Sequence, residues 1–472
     1  MRLFLGALVA SLALVAAGCG GSDTAATGGP GGAEIAPQSA AFYLTLNTDL
    51  DSGQVDQFED LLKKFPDREK LLAEIQKGIA EEDLSWETDI KPALGKTFDL
   101  VLLDFRRSDD VVGIVKPADE AKLKALVAKG DDPAVTRKVD GWTLIADSEA
   151  VLDRFETARS KGTLQDSDEF TTAMDGLPDE ALAKLYVDGG AATTALDEAD
   201  DAPSTGKNRL KTVALALGAE SSGLKLDGGV TSDLEDDLAA KKPYEAKLLD
   251  AAPEGALAFI SGNGYGEVDK TLRETPGTYD QFRELLGIDL DGVASLFEGE
   301  FAFWVGRGAP IPEVTFLAEV KDEAAATAAL DKLAGLIPPE AGAQSRSTEV
   351  DGVQAKQVVV QGFPITYAAF DGRVIVTTRP GAISDVRDDG DSLADDADFK
   401  QAKDDAGMDD ETFGFVYLNV EELAALGQGF AGVAGEEIPP EVERNLEPLG
   451  SFLLHTGGKP EDVKLSAFLS IE

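Results

Sequence analysis

Residues 36–47 read APQSAAFYLTLN, and residues 252–263 read APEGALAFISGN. Each stretch opens on Ala-Pro, enters an apolar run and stops at an asparagine, Asn47 or Asn263. An apolar run bounded in this way is a strand signal. The match continues along the chain. Asp56-Gln57-Phe58 with Leu61-Leu62 recurs as Asp280-Gln281-Phe282 with Leu285-Leu286, and Leu94-Gly95 parallels Glu298-Gly299. Asp119-Glu120 recurs at Asp322-Glu323, and Asp140-Gly141 at Asp371-Gly372. Leu164 and Phe170 return as Leu393 and Phe399, and Asp179-Glu180 before Tyr186 as Asp410-Glu411 before Tyr417. Lys225-Leu226 closes the first series and Lys464-Leu465 the second. Matches kept in one order read as a duplicated unit.

The two stretches differ by insertion. Between the helix opening at Asp322 and the turn at Asp371 the second is longer by about 28 residues. Val350-Asp351-Gly352-Val353 inside that surplus reads as an added β-hairpin. The first stretch has an insertion of its own around Arg68–Ala80, where Leu71, Leu72, Ile75 and Ile79 follow helical spacing. Further helical patterns lie over residues 55–64, 120–128, 149–159 and 323–336. Phe98–Phe105 and Phe301–Val305 are near-continuous apolar runs, expected as central strands covered on both faces. Val463, Leu465, Ala467, Leu469 and Ile471 alternate with Lys464, Ser466, Phe468 and Ser470, so the last strand has one wetter face. Asp-Gly at Asp140, Asp351 and Asp371 suits type I′ turns. Hairpins mixed with helices, without regular βαβ alternation, give an α+β expectation: two tandem copies of a largely antiparallel sheet packed with helices. The boundaries are a leader at 1–18, a flexible tether at 19–35, a first copy at 36–232, a linker at 233–251 and a second copy at 252–472.

Composition narrows the function. With Lys+Arg 43 against Asp+Glu 88 the net charge is -45, which repels phosphate backbones and excludes nucleic-acid binding. One Cys and one His exclude disulfide frameworks, Cys/His zinc sites and Cys–His nucleophile pairs. The hydrophobic fraction of 43% and mean hydropathy of -0.11 fit a folded, water-exposed body.

The N-terminus carries Arg2, then an apolar run from Leu3 to Ala17, too short to span a bilayer as a helix. It ends in Val15-Ala16-Ala17-Gly18-Cys19, which resembles a bacterial lipoprotein signal. The resemblance implies lipidation of Cys19, cleavage after Gly18, and a membrane partner reached through acyl chains on Cys19. Gly20–Ala33 is rich in Gly, Ala and Ser and reads as a tether. With the duplicated unit and the Leu…Phe…Tyr pattern, the chain resembles an uncharacterised bacterial family, a domain of unknown function found in exported, membrane-anchored proteins. That resemblance implies an envelope location on the outer face of the membrane and transfers no catalytic residue.

Motifs with chemistry fail on inspection. Gly262-Asn263-Gly264-Tyr265-Gly266 would need a glycine at 267 for a dinucleotide loop, where Glu267 stands. Gly206-Lys207 would need a glycine at position 201, which is Asp201. Asn47, Asp49 and Asp51 take the first EF-hand positions, but Ser52 and Phe58 occupy those of the glycine and the last glutamate, so a strand end and a helix-starting turn is the reading. Asp388–Asp398 reads as an acidic solvated loop, and His455 as a strand histidine with a structural or surface role. No metal or cofactor ligand is nominated. Asn47/Asn263, Phe58/Phe282 and Tyr186/Tyr417 recur in both stretches and read as holding one fold twice. The expectation is a non-enzymatic envelope protein offering a binding or scaffolding surface. The alternatives are a carrier of an apolar or lipid-like ligand and a carboxylate-dependent hydrolase of envelope polymers.

Overall fold

The computed structural model describes residues 31–472, apart from 82, 130–133, 200–208, 235–240, 265–292, 309–310, 336, 338–343, 361, 389 and 435–437. The first half contributes β1 (Phe42–Asn47), β2 (Thr97–Leu102), β3 (Val111–Val115), β4 (Val135–Val139), β5 (Trp142–Ala146), β6 (Ala183–Asp188), β7 (Arg209–Glu220) and β8 (Gly223–Asp233). The second begins with β9 (Tyr244–Glu245), β10 (Ala258–Asn263), β11 (Glu300–Gly306), β12 (Glu313–Glu319), β13 (Gln344–Val350) and β14 (Val353–Val360). It ends with β15 (Phe363–Phe370), β16 (Arg373–Thr377), β17 (Glu411–Thr412), β18 (Gly414–Asn419), β19 (Leu449–Lys459) and β20 (Asp462–Ile471). Strands β9 and β17 pair only with each other. The other eighteen form one sheet, antiparallel at every pairing described. From edge to edge they run β4-β5-β3-β2-β1-β6-β7-β8-β20-β19-β18-β10-β11-β12-β16-β15-β14-β13.

The local reading of the chain holds at its turns. Asp140, Asp351 and Asp371 have φ of 48°, 46° and 51°, and the glycines after them are also left-handed, as a type I′ turn demands. Val350 faces Val353 across one of these turns, so the inserted hairpin is β13–β14. The helix read around Arg68–Ala80 spans Arg68–Glu81 and buries Leu72 and Ile79. The helix Glu149–Arg159 has the predicted bounds.

Helices cover both faces of the sheet towards its two ends. In the first half, Val55, Leu61 and Ile79 pack with Leu46, Phe98 and Leu100 on one face. On the other, Phe155 and Phe170 pack with Tyr43, Val101 and Tyr186. In the second half, Ala326 and Leu330 of the helix Glu323–Gly335 pack with Tyr367 and Val374. There Ile383 and Phe399 pack with Phe259, Phe415 and Tyr417. Phe170 meets Tyr186 edge-on at 5.0 Å, and Phe399 meets Tyr417 edge-on at 5.2 Å; such pairs add about 0.5–1.5 kcal/mol beyond area burial.

Three expectations are corrected. The tether does not extend to residue 35: Gly31–Glu34 form a 3-10 turn, Ala33 and Ile35 are buried, and the Gly32 amide donates to Asp99 Oδ2 at 3.0 Å. A buried carboxylate with an open acceptor fixes this glycine-rich segment against the sheet. The linker does not extend to 251: Tyr244–Glu245 is β9, and the Lys247–Ala251 turn buries Leu248. The Leu248 amide donates to Glu300 Oε1 at 2.7 Å, the same device. Finally, the second face of β11 is only partly covered among the described residues, with Phe301 packed on Phe297 and Phe316. Ala302 and Trp304 are buried, whereas Phe301, Phe303 and Val305 are half-buried.

Candidate functional site

The half-buried side of β11 belongs to a larger surface. Cross-strand partners in an antiparallel sheet point to the same face, so the registers define rows of side chains. One row runs Phe98, Leu46, Ala183, Leu217, Leu226, Ala467, Leu454, Val416, Ile260, Phe303, Phe316. Every member is apolar. A neighbouring row runs Ala219, Leu224, Leu469, Phe452, Leu418, Ala258, Val305. At the first-half end Phe98 and Leu46 are sealed under helices. Midway the cover thins among the described residues: Leu217 is 37% and Ile260 39% exposed, Leu226, Leu454, Val416 and Phe303 are half-buried, and Ala467 between Leu226 and Leu454 is buried. Among the described residues, the apolar strip is continuous across eleven strands and only partly covered in its middle, a surface that an apolar partner would bury.

The reverse face at the same junction is polar. Asp227 faces Ser466, and Ser466 faces His455. Ser466 Oγ lies 2.7 Å from Asp227 Oδ1 and 3.0 Å from the Ala406 carbonyl. His455 Nε2 lies 3.2 Å from that carbonyl, and Lys225 Nζ donates to the Asp405 carbonyl at 3.3 Å. These donors satisfy the C-terminal end of the helix Ala397–Ala406. Burial lowers the His455 pKa. The histidine lies at a helix end here.

The remaining sequence candidates have structural work. Asn47 ends β1, and its Oδ1 accepts the Asp49 amide at 3.0 Å. Ser52 then caps the helix Gly53–Leu62 through the Val55 amide. Asp396, in the acidic stretch, accepts the amides of Asp398 and Phe399 at the start of its helix. The buried carboxylates are engaged too: Asp99 by Gly32 and Tyr43, Asp110 by Arg154, Glu300 by Leu248, and Glu313 by Trp304 and Arg379. Among the described residues no three His, Cys, Asp or Glu side chains are grouped to hold a metal, and no helix is long and apolar enough to cross a membrane. Cys19, Lys207, Tyr265–Glu267 and the second Asp-Gln-Phe at 280–282 lie outside the described residues. The sequence reading missed the open strip. Its signal was the alternation in β20, read only as one face wetter than the other.

No curated protein matches the sequence. Among solved structures, one described as crystal form IV of TP0453 is similar at 14% identity. It covers 48% of this chain and 79% of that one, with a TM-score of 0.25. The model of a protein family of unknown function, DUF3352, matches residues 114–462. The chain therefore belongs to the DUF3352 family.

Proposed function

We propose that this is an exported, lipid-anchored, non-enzymatic envelope protein whose open sheet strip binds an apolar, lipid-like ligand. The single observation behind the binding reading is the row through Leu217, Leu226, Leu454 and Ile260, apolar across the junction and left partly open. Acylation of Cys19, with diacylglycerol on its sulfur, would hold the body at the membrane surface where such ligands reside. Cys19→Ala is expected to move the protein from the membrane fraction to the soluble exported fraction. Retention of the variant in membranes would refute the anchor.

A duplicated unit is part of the same proposal. Support comes from β1 lying between β2 and β6 as β10 lies between β11 and β18. The Leu164 amide donates to Ala36 and the Leu393 amide to Ala252, at 2.8 and 2.9 Å. The two units would meet head to head. If Lys225-Leu226 corresponds to Lys464-Leu465, the β8–β20 ladder is symmetric about Asp227 and Ser466, with Leu226 on Ala467 and Gly228 on Leu465.

The test of binding uses a long-chain fluorescent fatty acid and the protein from residue 20 onward. Leu217→Glu and Ile260→Glu are each expected to weaken binding roughly tenfold or more, because a charge replaces apolar contact. Both sites are still largely covered in the free protein, so each substitution should cost about 1–2 kcal/mol of folding stability, and binding is compared at a temperature where both variants are folded. Absence of binding by the parent protein, or indifference to both substitutions, would refute the ligand reading. A protein-scaffolding role is the second reading. It draws on Leu71 and Val442, 49% and 48% exposed, beside a 330 Å³ groove between the helices Arg68–Glu81 and Pro440–Leu446.

A further inference from the structure

On the face opposite the apolar strip, a groove of about 410 Å³ opens above β1 and β6. Tyr43, Thr45, Asn47, Thr97 and Lys184 form its polar floor, and exposed Asp175 and Asp179 stand at its rim. Thr45 lies between Asp99 and Lys184 across three paired strands. At the same register in the second half, Ser261 lies between Ala302 and Phe415. There Phe259 stacks on Phe415, and the Tyr244 hydroxyl reaches Ser261 Oγ at 2.6 Å. This strand frame therefore folds with an apolar residue where Lys184 stands.

Lys184 is half-buried and, among the described residues, makes no hydrogen bond or ion pair. Burial lowers its pKa, with Asp179 acting the other way. A partly desolvated ammonium with no direct ion pair opposes stability, so its use lies in what it can bind. The whole chain carries -45 and repels free anions. A ligand that brings an anionic group to Lys184 and a cationic group to the rim carboxylates escapes that repulsion. We propose that this groove binds a small zwitterion of the amino-acid type, its carboxylate on Lys184 and its ammonium at Asp175 and Asp179. The volume falls within the usual range for small-molecule sites.

The experiment titrates the intact protein calorimetrically with a panel of α-amino acids. The matched carboxylic acids and amines, each lacking one charged group, are titrated alongside. At least one amino acid is expected to bind, with both matched compounds at least tenfold weaker. Lys184→Gln should lower that affinity tenfold or more, and Asp179→Asn severalfold, while Leu217→Glu on the other face leaves it unchanged. Lys184→Met serves as a second variant should Lys184→Gln fold poorly, since Phe415 occupies the corresponding position. It should raise the melting temperature and abolish binding. No binding by any amino acid up to about 10 mM, equal binding of the matched acid, or full binding by a folded Lys184 variant would each overturn the proposal.

Discussion

Asp99→Ala is expected to destabilise the protein by about 3–4 kcal/mol, the combined cost of stranding two buried donors. Asp99 is fully buried. Its Oδ1 accepts the Tyr43 hydroxyl at 2.7 Å, and its Oδ2 accepts the Gly32 amide at 3.0 Å. Burial raises its pKa, while hydrogen bonds from Thr45, Tyr43 and Gly32 favour the ionised form. The second half meets the same need differently. Phe259 has no hydroxyl to satisfy, Ala302 lies beside it in the adjacent row, and Glu300 takes the Leu248 amide. Tyr43→Phe should therefore recover about 1–2 kcal/mol in the Asp99→Ala background by removing one stranded donor. Adding Thr97→Glu, which transplants the second-half acceptor, should recover more. Urea unfolding of the single, double and triple variants measures the cycle. Costs that simply add would show that Tyr43 and Asp99 do not act as a pair.

Glu300 sets a pH dependence opposite to that of an ordinary surface carboxylate. It is buried, and desolvation raises its pKa from 4.5 to about 7 despite the Leu248 and Lys247 amides. Between those values the folded state binds more protons than the unfolded state, so stability falls as pH rises. The contribution is complete below about pH 4.5 and is lost as pH passes through about 7, a change of about 3 kcal/mol. Because other acids also titrate, the measurement is a difference: unfolding free energy of the parent minus that of Glu300→Gln, at pH 4.5 and pH 8. The difference should fall by about 3 kcal/mol across that range. A difference that does not change with pH would show that Glu300 titrates normally. The Leu248 and Lys247 amides, which favour the ionised carboxylate, offset part of the desolvation cost that appears as pH rises.

How much of this was legible beforehand depended on the range of the interaction. Positive φ at Asp-Gly, the Asn47 strand end and the helical spacing of Leu72 and Ile79 are fixed by a few neighbouring residues. A reader of the sequence can place them. The segment Gly31–Ile35 looks like tether because it follows a run rich in Gly, Ala and Ser, and Tyr244–Ala251 looks like linker because it follows the charged run that ends at Pro243. They pack only because acceptors at Asp99 and Glu300, distant in the chain, await their amides. The groove at Lys184 has the same origin. Tyr43, Thr97 and Lys184 share it only through the registers of β1, β2 and β6.

The sequence by itself determined the periodicity of each strand, the hairpin turns, the charge of -45 and the order of elements, because each follows from composition or from contacts a few residues apart. Only the tertiary structure decided that β8 pairs with β20 and makes one sheet of eighteen strands. Alternation states which side of a strand is apolar, but not whether anything lies over that side. Among the described residues, helices seal the strip over Phe98 and Leu46 and leave Leu217 and Ile260 partly open. That cover depends on where distant segments pack, and the opening it leaves is the basis of the binding role proposed for this protein.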